Sequence, residues 1–301
     1  TKLITTHPIA KMEQDNVMHI EFDEDYALDD AKRIVKLAID NYENRSTEVV
    51  IPKHKATQVA GFGVESIQYH LGGTFRGTYY TLNDNIINGR IRGIAGVVGC
   101  NNARSKHNDA HIKVVKELIK NDVIVLTTGC NGIACAMEGL LTPESAAVHC
   151  GAGLAEVCET VGIPPVLHLG SCVDNSRILL AATEVANAGG LGNDISELPV
   201  AGSAPEWMSE KAISIGQYVV TSGIYTVFGV TLPTSGAPVF HDYLSKELEK
   251  LYGGMWDIEA DPIKHAWKMI DHIDNKRKAL GIDKARERVL MDMADRQALE
   301  A

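Results

Sequence analysis

Three of the six cysteines share one local setting, a short apolar run, a tight glycine-containing turn, then a helix-like stretch. They are Cys100 in GIAGVVGCNN, Cys130 in VIVLTTGCNG and Cys172 in PPVLHLGSCVDNSR. Thiolates bind soft and borderline metals, and the N-terminus of a helix favours the thiolate through its unpaired N–H groups and dipole. Any one of the three alone reads as an ordinary buried cysteine. Three at equivalent positions read as ligands converging on a metal. Their spacing, 30 and then 42 residues, is unlike the C-x-x-C knuckle of structural zinc and suits ligands given by separate loops to a larger iron-sulfur centre. Three thiolates do not complete a four-iron cluster, so further ligands are expected from outside these motifs.

The other candidates carry plainer readings. Cys135, Cys150 and Cys158 fall within helix-like stretches and read as packing residues. His107 and His111, in HNDAH, have a spacing that can hold zinc, but no glutamate follows His107 in the metalloprotease pattern, so they read as a solvated surface pair. His168 reads as a core histidine. The glycines of ANAGGLGND follow a helix instead of a strand, which argues for a cap and turn and against a nicotinamide site. Lys211, in EWMSEKAISIG, sits one turn into a helix, where a lysine is usually exposed. Beside an electron-rich cluster it could also donate protons or stabilise a carboxylate-like intermediate. Spacing leaves both open.

The elements that must position these residues alternate. After a connecting segment at 1–20, Ala27, Ala31, Ile34 and Ala38 fall at helical spacing behind an acidic start. A short strand EVVIP, a glycine turn and a helix over Val64 to His70 follow. GIAGVV then precedes a helix at about His107 to Lys120, VIVL one starting near Asn131, and PVLHL one from about Asp174 to Ala188. Further strands are expected at Tyr218 to Thr221 and Ile224 to Thr231, and a long helix from Asp261 to about Leu280. Apolar strands without polar alternation, separated by helices, predict an α/β fold. The expected architecture is an open, mostly parallel, doubly wound (Rossmann-like) sheet with helices on both faces, built from residues 21–301 as one cluster-binding domain.

Composition limits the partners. A formal charge of -10 in 301 residues argues against a broad basic surface for nucleic acid. No run approaches the roughly 18 apolar residues of a membrane span, and the N-terminus lacks a signal-peptide pattern. A soluble, cytoplasmic protein with reduced thiols is expected. The sequence opens at Thr1 in mid-pattern, which reads as a portion of a longer polypeptide.

GVVGCNN, TTGCNG, LHLGSCVDNSR and PEWMSEKAISIG, in this order, closely resemble the C-terminal domain of the nickel-containing, anaerobic carbon monoxide dehydrogenases. The similarity runs from about HIEFDEDYALDDAKRIV to the last long helix, and GSCVDNSR and SEKA are its most specific motifs. The resemblance implies reversible oxidation of CO with water to CO2, two protons and two electrons at a nickel-iron-sulfur cluster. By motif, Cys100 and Cys130 would bind irons of the cubane part and Cys172 would be the thiolate on nickel. Lys211 would lie beside the substrate, bonding bound CO2 or relaying protons, and Ile215 would crowd the nickel. In that family a histidine and two further cysteines from a preceding domain complete the cluster, and an N-terminal helical domain carries further 4Fe-4S clusters. Those motifs are not in these residues, so the resemblance implies a C-terminal portion, inactive until paired with its N-terminal portion. It also implies a homodimer, ferredoxin as a possible electron partner and, from YTVFGVTLPTSGAPVFH, the members that bind an acetyl-CoA synthase subunit. Two other readings stand beside it, a cluster-free interaction module of the same fold, and a hybrid-cluster protein reducing nitrogen oxides or peroxide.

Overall fold

The computed structural model describes residues 3–45, 48–53, 55–73 and 77–284. The chain divides into two compact units, Thr1–Ala56 and Thr57–Ala301. In the first, β1 (Leu3–Thr5) pairs in parallel with β2 (Val17–His19), and α1 (Ala27–Asp40) follows. Residues 1–20, expected as a connection, thus carry two strands. The expected helix forms with Asp29 and Asp30 in its first turn, where carboxylates favour the helix dipole. Glu48–Pro52, expected as a strand, has no regular structure.

The second unit begins with α2 (Val64–Leu71) and α3 (Tyr80–Ile87). Then β3 (Gly93–Val97), α4 (Asp109–Lys120), β4 (Val123–Thr128), α5 (Gly129–Met137), α6 (Ser145–His149), α7 (Ala152–Val161), β5 (Val166–Gly170) and α8 (Asn175–Ala188) follow. The chain continues through β6 (Val200–Ala204), α9 (Glu210–Thr221), β7 (Thr226–Phe228), α10 (Pro238–Asp242), α11 (Leu248–Tyr252), β8 (Trp256–Ile258) and α12 (Pro262–Ala279).

The six strands β3 to β8 form one all-parallel sheet in the order β5-β4-β3-β6-β7-β8. The chain winds outward from β3 in one direction, returns, and winds outward from β6 in the other. This is the doubly wound arrangement expected from sequence, with its switch point between β3 and β6. Helices cover both faces. A Cβ at Gly93 would strike Ile273 of α12, whereas one at Gly96 would touch Ile178 of α8, because successive residues of a strand point to opposite faces. β4 is buried along its whole length, which accounts for its unbroken apolar run.

Within the sheet unit one expectation changes and one strand goes unanticipated. Tyr218–Thr221 is the last turn of α9, since Val220 is fully buried one turn after Gly216 on the packed side of the helix, and a four-residue apolar run cannot by itself separate strand from helix. A central strand, β6, had no expectation at all. Its sequence, VAGSA, is small and partly polar, yet all five residues are buried.

β6 is tied to α12 through His265, whose ring is 1% exposed. Nδ1–H donates to the Glu259 carbonyl at 3.1 Å, so Nε2 is the acceptor for the Ser203 hydroxyl at 2.6 Å. Burial holds its pKa down at about 4, and does the same for His272, also about 4, which stacks on Tyr225. In the unfolded chain both return to about 6.5. The unfolded state therefore binds protons first, and the stability held by the neutral rings is complete above about pH 6.5 and is lost as pH falls toward 4, by at most about 3 kcal/mol per ring. Urea unfolding across this range should show a slope of about two protons or more. His272→Phe, which keeps the stacked ring, should lower it by about one, and an unchanged slope would contradict the assignment.

Candidate metal centre

β3, β4 and β5 end at Val97, Thr128 and Gly170, and Cys100, Cys130 and Cys172 follow within three residues at the same edge of the sheet. Lys211 is the second residue of α9, which follows the carboxyl end of β6. The four residues therefore span the switch point, where open parallel sheets leave a crevice for ligands.

Each loop is fixed by its own sequence. In GSCVDNSR, Gly170 takes φ +135°, Ser171 N–H donates to the Asp174 carboxylate at 2.8 Å, and Arg177 pairs with the same carboxylate at 3.2 Å. The buried Asn175 accepts from the Thr128 hydroxyl, tying the Cys172 loop to the Cys130 loop. In TTGCNG, Gly129 takes φ +60°, and a Cβ there would lie 2.6 Å from Cys172 Sγ. Asn131 donates to the Val97 carbonyl at 2.9 Å, and Cys130 N–H donates to the Gly99 carbonyl at 3.2 Å, so the Cys130 loop is tied to the Cys100 loop as well.

Cys130 lies within electrostatic reach of both other thiols. Burial raises the pKa of Cys130 above the usual thiol value, and the neighbouring sulfurs of Cys172 and then Cys100 raise it further. The Asn101 N–H, directed at Cys130, and the Lys211 ammonium oppose that shift. A thiol crowded this way is helped to ionise by cationic charge beside it. Cys135 and Cys158, by contrast, are fully buried with pKa values pushed up to about 12, as packing residues should be.

Cys100, Cys172, Lys211 and Ile215 also line a cavity of about 90 Å3 that runs between the sheet and helices α8 and α9, past apolar side chains such as Ile94 and Leu179. Among the described residues no three His, Cys, Asp or Glu side chains lie close enough to hold a single metal ion. A thiol that feels two others, in a set too far apart to chelate one ion, fits a group several ångströms across, which an iron-sulfur cluster is.

His111 corrects the sequence expectation. His107 is exposed, but His111 is fully buried, because α4 begins at Asp109 and turns His111 onto the same face as Val114, Val115 and Leu118. Its Nε2–H donates to the Cys100 carbonyl at 2.7 Å, and burial lowers its pKa. Glu206 was not anticipated at all. It is fully buried and accepts from Asn101 Nδ2 at 3.1 Å, Asn108 N–H at 3.3 Å and Ala110 N–H at 3.0 Å. The signal that could have found it is an acid just past a strand end, and β6 was not recognised as a strand. His168 is half-buried, with its ring against Gly132.

A family model described as Prismane/CO dehydrogenase family matches residues 1–263. The chain belongs to the Prismane/CO dehydrogenase family. It is 50% identical over 284 residues to carbon monoxide dehydrogenase 1 of Methanosarcina mazei, covering 94% of this chain and 44% of that protein. It is 34% identical over 296 residues to the carbon monoxide dehydrogenase/acetyl-CoA synthase subunit beta of Moorella thermoacetica, covering 94% of this chain and 43% of that protein. The nickel-free carbon monoxide dehydrogenase structure from Thermococcus sp. AM4 superposes with a TM-score of 0.83 at 49% identity, over 93% of this chain and 43% of the other. This Prismane/CO dehydrogenase chain therefore spans less than half the length of the relatives it matches. No helix among its described residues is long and apolar enough to cross a membrane.

The contact of Gly129 with Cys172 generates a prediction. Gly129→Ala should destabilise the chain by about 1–2 kcal/mol through its left-handed backbone and change the alkylation rate of Cys172. Gly139→Ala, also at positive φ but with open space around a Cβ, should cost a similar strain and leave that rate unchanged. Equal Cys172 rates in the two variants would contradict the contact.

Proposed function

We propose that this chain is the C-terminal portion of a carbon monoxide dehydrogenase, which interconverts CO and water with CO2, two protons and two electrons at a nickel-iron-sulfur cluster. The observation that carries the reading is that Cys100, Cys172 and Lys211 line one cavity while Cys130 lies within electrostatic reach of all three, in a chain half identical to a carbon monoxide dehydrogenase. When bound, the cluster supplies the metal centre at which the carbon is oxidised and the electrons are withdrawn.

The chain's own residues have separable tasks in this reading. Cys100 and Cys130 hold irons, and Cys172 holds nickel, a borderline metal that accepts thiolate readily. Lys211 brings a positive charge to the cavity lining, where it stabilises negative charge developing on substrate oxygens and can carry a proton to or from them. Ile215, one turn further along α9 and half-buried, keeps bulk water from the metal. The apolar cavity behind them offers little to polar competitors.

Three thiolates leave the cluster short of ligands, and the relatives are more than twice as long. The remaining ligands and the further 4Fe-4S clusters belong to an N-terminal portion, without which this chain is inactive. Val173, beside Cys172, is 78% exposed, which suits an edge that another part of the protein covers. The complete enzyme is a cytoplasmic homodimer that passes electrons to ferredoxin. The Moorella relative, named as a subunit of the enzyme that includes acetyl-CoA synthase, supports acetyl-CoA synthase as a further partner.

Metal content and viologen-coupled CO oxidation should be measured anaerobically with and without the N-terminal portion. Iron, nickel and activity should appear only with both. Cys172→Ala should lose nickel and lower the rate by more than about 100-fold, beyond the effect of losing an outer-shell partner, and unchanged activity in that variant would rule out the nickel assignment. Lys211→Ala should keep the metals and lower the rate by about 100-fold or more. Loss of metal together with rate would instead make Lys211 a structural residue.

A further inference from the structure

The polar groups behind Cys100 form a unit that faces away from the cavity and has no part in the reading above. Cys100 gives up its own carbonyl to His111 Nε2–H at 2.7 Å. The other ring nitrogen, Nδ1, is buried without a hydrogen-bond partner. A neutral imidazole has one N–H, and here it is spent on the Cys100 carbonyl, an arrangement that gains one bond at the expense of a bare acceptor in the core. The next residue, Asn101, gives its side-chain amide to Glu206 at 3.1 Å while its backbone N–H is directed at Cys130. Asn102 then donates to the Trp207 carbonyl at 2.8 Å.

Glu206 is the centre of this unit. It is fully buried, and its two oxygens take N–H groups from the first turn of α4 as well as the Asn101 amide. A carboxylate buried at a helix N-terminus and fully supplied with donors is held in one place by both hydrogen bonds and the helix dipole. It also stands four residues before the start of α9, so one side chain fixes the Cys100 loop, the start of α4 and the approach to Lys211.

We propose that His111 and Glu206 are positioning residues for the metal centre, setting the direction of the Cys100 thiol and of the Asn101 N–H that faces Cys130. The proposal rests on the reading of Cys100 and Cys130 as iron ligands. Neither residue touches substrate or metal. His111 acts through the Cys100 carbonyl and Glu206 through the Asn101 side-chain amide. A pair that merely filled the core would stabilise the fold without affecting one thiol more than another.

The test compares His111→Leu, which removes the N–H, with His111→Gln, whose side-chain amide can reach the same carbonyl, and with Glu206→Gln, which sets an amide among donors. In the metal-free full-length protein, the alkylation rate of Cys100 relative to Cys172 should rise about three- to tenfold in His111→Leu and Glu206→Gln, the span of one lost hydrogen bond. His111→Gln should stay within about twofold of the parent. In the cluster-loaded protein, the Mössbauer signal of the cluster irons should shift in the first two variants and return in His111→Gln. Equal behaviour of His111→Leu and His111→Gln, or an unchanged rate ratio in either His111→Leu or Glu206→Gln, would overturn the proposal. Should His111→Leu fail to fold, the rate ratio in Glu206→Gln decides alone. A parent protein that takes up no cluster would defeat the functional reading, while the alkylation ratio would still decide the positioning role.

Discussion

Everything at the candidate centre depends on the strands being parallel. Six parallel strands put all their carboxyl ends on one edge, so residues 30 and 42 positions apart in sequence arrive side by side without any long loop reaching across. An antiparallel neighbour would send every second loop to the far edge and separate Cys130 from its partners. The doubly wound order adds the second half of the constraint. Because β6 lies beside β3 and not beside β5, the loop that leads to Lys211 is held next to the Cys100 loop.

Convergence has an electrostatic consequence that the loops must manage. Burial makes the Cys130 thiol resist ionisation, and the sulfurs of Cys172 and Cys100 add to the resistance. The chain counters with the Asn101 N–H and the Lys211 charge, and it stiffens the loops with bonds between them, Thr128 to Asn175, Asn131 to Val97 and Cys130 to Gly99. These bonds set the arrangement before any metal arrives, so less ordering entropy is spent when it binds. On the proposed reading, cationic metal relieves the remaining repulsion. In this account the same crowding that makes the site awkward for free thiols makes it favourable for a cluster.

Much of this was legible in the sequence because the informative residues obey local rules. Buried parallel strands read as apolar runs, and β3, β4 and β5 were found that way along with the cysteine after each. The glycine turn of GSCVDNSR was legible too, while the reciprocal Ser171–Asp174 cap that holds it shows only in the structure. What was missed is non-local. β6 is a strand by its position between β3 and β7, and nothing in VAGSA declares it. Without β6, Glu206 had no strand end to stand at. His111 looked like a surface residue in a polar stretch, and only the phase of α4, fixed by Glu206 at its start, turns it inward. Tyr218–Thr221 failed for the opposite reason, an apolar run too short to reveal its period.

The central claim is that Cys100, Cys130 and Cys172 ligate one inorganic group. Anomalous diffraction at the iron and nickel edges, from crystals of the cluster-loaded full-length protein, tests it most directly. The account predicts iron peaks at bonding distance from the Cys100 and Cys130 sulfurs and a nickel peak at bonding distance from that of Cys172, all within one cluster. Metal density elsewhere in the loaded protein, with the three sulfurs free or bound to separate ions, would contradict it.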